Sequence, residues 1–141
     1  MKHAWLLISL IFQLACSIPA AAQDYSGTWT GVVTQSSSSC KNIVKAAPGQ
    51  YSLTFTQKGN ELTIVQVQNA VKRSYRGLVD AATPGLVQVR GTYPDDGGFI
   101  SEEVLVKFTG PDSGEGKSAW RWANAWHQCG GQFQFTLKKN P

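Results

Sequence analysis

The clearest signal in the chain is alternation. Tyr51-Ser52-Leu53-Thr54-Phe55-Thr56 sets Tyr51, Leu53 and Phe55 on one face and three hydroxyl side chains on the other. That is the pattern of a half-buried β-strand. Lys58-Gly59-Asn60 then predicts a tight turn, and Glu61 to Val67 the returning arm of a hairpin. The same rhythm continues downstream. Lys72 to Asp80 places Tyr75 and Val79 on one face, and Leu86 to Tyr93 does so with Val87, Val89 and Tyr93. Phe99 to Thr109 alternates through Val104, Val106 and Phe108. Ser118 to Trp126 carries Trp120, Trp122 and Trp126, and Gln132 to Lys139 carries Phe133, Phe135 and Leu137. Ahead of all these, Tyr25 to Gln35 is rich in β-forming residues.

Turn residues separate the runs. Pro48-Gly49, Thr83-Pro84-Gly85, Pro94-Asp95-Asp96-Gly97-Gly98 and Gly130-Gly131 each predict a reversal. The serine run Ser36–Ser39 reads as loop, and Gly110–Gly116 as the longest flexible connection. No amphipathic helix of useful length is present. Eight strands joined by successive hairpins predict an all-β fold: an eight-stranded antiparallel up-and-down β-barrel, which removes exposed strand edges by closing on itself. A two-sheet β-sandwich satisfies the same alternation and stands as the alternative.

The N-terminal segment breaks this pattern. Lys2 is followed by the apolar run Trp5 to Phe12, and Ala20-Ala21-Ala22 supplies small residues at a cleavage position. This is the layout of a secretory signal peptide over residues 1–22, cleaved after Ala22. The apolar stretch ends at Gln13, short of the roughly 20 residues a bilayer span requires. A lipid anchor on Cys16 is the lesser alternative, because Gln13 stands where such a signal needs Leu. Residues 23–141 then form a single domain, secreted or periplasmic.

Composition fits that reading. Charged residues are only 16% of the chain, and removal of Lys2 with the leader lowers the net charge from +4 to +3. The basic residues are dispersed apart from Lys72-Arg73 with Arg76 and Lys138-Lys139, so no nucleic-acid footprint is expected. Two cysteines remain beyond the leader, Cys40 and Cys129, and an oxidising compartment makes their pairing the default. In a barrel the first and last strands meet. That brings Cys40, just after the first strand, to the same rim as Cys129, just before the last.

Gly27-Thr28-Trp29 resembles the G-x-W signature that opens the first strand of lipocalins and other calycins, and the G-T-W opening of avidin-like proteins. The resemblance implies an eight-stranded barrel plugged at one end by Trp29. It also implies a basic residue from the last strand, Lys138 or Lys139, packed across that ring. It names no ligand.

The candidate ligand-binding residues are the aromatics Trp29, Trp120, Trp122, Trp126 and Tyr75. They suit stacking on a flat or apolar molecule. Filling of the barrel core is the competing reading. His127 has no partner fixed by sequence to make it a base or metal ligand. Asp95-Asp96-Gly97-Gly98 and Asp112-Ser113-Gly114-Glu115 lack calcium-loop spacing and read as turns. No G-x-S-x-G stretch occurs. The sequence therefore predicts no catalytic residue, no metal and no cofactor. Its leading functional expectation is a non-catalytic, lipocalin-like binding protein for a small apolar or aromatic ligand. The alternative is an exported inhibitor or immunity-type protein that meets a partner enzyme through Ser36–Ser39 and Gly110–Gly116.

Overall fold

The computed structural model describes residues 23–41, 49–68 and 71–141. The leader, its cleavage site and Cys16 lie outside the described residues. Eight strands follow one another: β1 Gly27–Ser38, β2 Gln50–Lys58, β3 Glu61–Gln68, β4 Val71–Val79, β5 Leu86–Asp95, β6 Gly98–Gly110, β7 Ser113–Ala123 and β8 Gln128–Lys139. Each pairs antiparallel with the next, and β1 also pairs with β8. The result is a closed up-and-down barrel. A sandwich would break the ring of pairings between its two sheets, whereas here the ring is unbroken and β1 and β8 share a ladder from Trp29↔Lys139 to Ser38↔Gly131.

Alternation drives this closure. Inward positions such as Leu53, Phe55, Ile64, Val87, Val89, Val106 and Leu137 are buried, while the Thr, Gln and Lys residues between them face out. Full burial of one such side chain contributes roughly 1.5–3 kcal/mol. The β5–β6 hairpin turns on Asp96 and Gly97, both with positive φ (43° and 72°). That is the reversed turn whose twist matches the flanking strands, and Asp-Gly supplies it at low cost.

The two ends differ. At the closed end Trp29 is fully buried and stacks on Phe55, with Phe108 tilted against it. The segment before β1 folds over this end. Tyr25 lies flat on Phe108 with ring centroids 3.6 Å apart, and its carbonyl accepts a 2.9 Å hydrogen bond from Trp29 Nε1. At the opposite end, the rim, a disulfide joins Cys40 to Cys129 across 89 residues of chain. The bridge is consistent with an extracellular or periplasmic location. Among the described residues no helix is long and apolar enough to cross a membrane.

Four local expectations are corrected. Gly130-Gly131 make no reversal: both lie in β8, paired with Arg121 and Trp120. The serine run is mostly strand: Ser36, Ser37 and Ser38 pair with Phe133, Gln132 and Gly131 of β8. Polar outward positions cost nothing on a solvated sheet, so β1 runs on for as long as β8 offers partners. Gly110–Gly116 is likewise no long loop. The chain turns at Pro111-Asp112, and β7 starts at Ser113. Gly114 and Gly116 sit in that strand, where a side chain on Gly114 would press on Phe108 and one on Gly116 would collide with the Phe135 ring. Finally, β7 ends at Ala123, so Trp126 does not rejoin the face of Trp120 and Trp122. Asn124 Oδ1 accepts from the backbone N–H of Trp126 (2.9 Å) and of His127 (2.8 Å). This side-chain-capped turn breaks the alternation and leaves Trp126 86% exposed.

Candidate functional site

The interior toward the rim is polar at one place. On β6 the inward positions Ile100, Glu102, Val104 and Val106 follow the strand alternation, so the fold itself carries the Glu102 side chain into the barrel, where it is 5% exposed. An ionised carboxylate buried there needs donors. Three hydroxyls supply them. Oε2 accepts from Tyr93 Oη at 2.6 Å and from Tyr75 Oη at 2.9 Å, and Oε1 accepts from Ser118 Oγ. Hydrogen bonds to a charged acceptor are among the stronger ones.

Each donor is placed by its strand. Ser118 is an inward residue of β7, and Tyr93 an inward residue of β5. Tyr75 comes from β4, two strands away from Glu102, and must cross β5 to reach it. It does so over Gly91, the register partner of Glu102. A Cβ on Gly91 would fall 2.7 Å from Tyr75 Cδ1, so only glycine clears the path. The two tyrosine rings meet edge to face with centroids 6.1 Å apart.

Burial, and then the charge of Glu102, push the hydroxyls of Tyr51, Tyr75 and Tyr93 well above the ordinary tyrosine range. They therefore stay protonated and remain donors. Nearer the rim, Arg73 lays its guanidinium 4.7 Å from the centre of the Tyr93 ring, and its Nη2 lies 4.0 Å from Asp95 Oδ1. Its buried Nε has no hydrogen-bond partner among the described residues.

Glu102, Gln66, Tyr75 and Tyr51 face an internal cavity of about 30 Å³, walled otherwise by apolar residues including Leu53, Ile64, Phe133 and Phe135. That volume admits one water or a group of similar size. A larger open groove of about 490 Å³ lies on the outer face of the wall, where Gln35, Glu103, Leu105, Lys117, Gln132 and Gln134 point away from the interior.

The five candidate aromatics separate in space. Only Tyr75 lines the internal cavity. Trp29 belongs to the closed end. Trp122 is buried toward the rim, its Nε1 donating to the Asp95 carbonyl at 2.8 Å. Trp120 is half-buried over Gly131 and borders a separate surface depression with Glu102, Arg90 and Arg121. Trp126 stands in solvent, as does His127. The polar centre of the site, Glu102 with Tyr93, Ser118 and Gln66, was not among the candidates. The signal was available, since Glu102 shares strand parity with Val104, Val106 and Phe108. No group of three or more His, Cys, Asp or Glu side chains placed to hold a metal ion occurs among the described residues.

No family of known proteins matches the chain, and no curated protein does.

Proposed function

We propose that this chain is an exported, non-catalytic, lipocalin-like barrel that binds a small molecule with an apolar or aromatic body. In this reading residues 1–22 are a signal peptide cleaved after Ala22, and the mature barrel works outside the cytoplasm. One observation carries the proposal: a buried, hydroxyl-bonded Glu102 opens onto an internal cavity walled otherwise by apolar side chains. A buried ionic cluster is a poor device for stability, because apolar residues of similar volume serve at least as well. A cluster of polar groups at the base of an apolar pocket is instead what orients a ligand. The head of the ligand sits by Glu102, and its body lies between the apolar walls of the barrel once the half-buried Phe133 ring turns aside.

Native mass spectrometry of the mature protein, purified gently from its own host, tests this. A small retained mass, or quenching of tryptophan emission by apolar or aromatic compounds, is the expected result. A bare chain whose emission no such compound alters would overturn it. The inhibitor reading keeps one supporting feature, the exposure of Trp126 at the rim. It predicts a stable complex with a partner enzyme that Trp126→Ala weakens.

A further inference from the structure

The charge balance around Glu102 narrows the ligand class, on the footing of the binding reading above. We infer that the interior site selects a protonated amine. Glu102 is buried, yet it forms no ion pair among the described residues. Arg73, which points inward nearby, is drawn instead to the Tyr93 ring and to Asp95. All three groups that bond Glu102 are neutral hydroxyls. An ionised Glu102 therefore has no counter-charge in contact.

Its hydrogen bonds are also incomplete in a specific way. A carboxylate offers four acceptor positions, two on each oxygen. Oε2 uses both of its own, for Tyr75 and Tyr93. Oε1 uses one, for Ser118. One acceptor position is left, and Glu102 itself lines the internal cavity. Gln66, Tyr51 and Tyr75 border that cavity as well and offer further oxygen acceptors. The cavity of about 30 Å³ matches an ammonium head group in size. An ammonium donates three hydrogen bonds and needs no acceptor of its own, which suits a pocket rich in oxygens. A carboxylate head would meet Glu102 with like charge, and a neutral head would leave the charge unbalanced.

Three probes of one shape test this: 2-phenylethylammonium, 2-phenylethanol and 3-phenylpropanoate, each titrated against the oxidised mature protein by calorimetry at neutral pH. The ammonium is expected to bind about tenfold or more tightly than the alcohol, with the carboxylate weakest, as a charge-assisted contact to Glu102 requires. Glu102→Gln keeps the size of the side chain and should erase the preference for the ammonium. The wild-type comparison stands alone should that variant fail to fold. Equal or tighter binding of the alcohol or the carboxylate would overturn the inference and leave the binding role intact. Absence of heat from all three, together with a bare mass and unaltered tryptophan emission, would instead remove the binding role itself.

Discussion

Lys139 holds its Nζ 5.8 Å from the centre of the Trp29 ring, and the two residues are register partners where β1 meets β8. The approach depends on Gly27. A Cβ there would lie 2.8 Å from Lys139 Cε, and the φ of +131° is one that side-chain-bearing residues rarely adopt. Gly27, Trp29 and Lys139 therefore act as one unit: the glycine clears the path, the lysine stem crosses it, and the charge settles over the ring. Lys139→Met keeps the stem and removes the charge. It should cost about 0.5–2 kcal/mol, whereas Lys138→Met, on the exposed face, should cost close to nothing. Urea midpoints of the two variants make the comparison.

A second pair tests how the aromatics are seated. The Trp120 ring lies over Gly131, its register partner, with ring atoms 2.7–2.9 Å from where a Cβ would stand. Gly131→Ala should destabilise the barrel by about 1–3 kcal/mol, the usual cost of overpacking. It should also shift tryptophan emission to the red, because Trp120 must lift toward solvent. Thermal unfolding and an emission spectrum report the two effects.

The Cys40–Cys129 bridge closes a long loop at the rim, where Cys129 packs on the edge of the hydrophobic core. Replacing both cysteines with serine should lower stability by roughly 4–5 kcal/mol on the chain-entropy account. The far-UV spectrum of an antiparallel barrel should survive. Denaturation of the variant beside the oxidised parent gives the number.

Alkaline pH should weaken the fold through the tyrosines. The chain has four, Tyr25, Tyr51, Tyr75 and Tyr93, and the fold raises every one above its ordinary value, chiefly by burial. A raised value means the folded state keeps its proton while the unfolded chain loses it. The stability this represents is whole below about pH 10 and declines as pH climbs beyond it. Each strongly buried hydroxyl adds a slope of about 1.4 kcal/mol per pH unit. Absorbance at 295 nm should stay flat through pH 10 and then rise together with loss of structure. An early tyrosinate signal from a folded protein would contradict this. Tyr75→Phe should make the decline shallower.

Strand parity made the architecture readable from the amino acids alone, because each face of a barrel wall meets one environment, core or water. The alternation of Tyr51, Leu53 and Phe55 needed no tertiary context. Glycine is where that reading stops. Gly114 and Gly116 carry the composition of a loop, but they lie in β7 because Phe108 and Phe135 occupy the space their side chains would need. Only the register of neighbouring strands reveals this. Trp126 was misplaced for a related reason: two backbone bonds to Asn124 end the strand, and a single asparagine does not announce them. Glu102 was legible by parity and obscure by chemistry. Its meaning comes from Tyr75, Tyr93 and Ser118, which three other strands bring to it.

The β1–β8 seam sets the order in which this molecule can form. Every other strand pair joins neighbours in sequence and can zip as a local hairpin, while this one must wait until the rest of the wall exists. Closure of so long a loop is a slow, entropically opposed step. Until it happens the nascent wall has two raw edges, along β1 and β8, each able to template pairing with another chain. The disulfide stands beside that seam, so oxidation after closure turns a reversible zipper into a latch and takes both edges out of circulation.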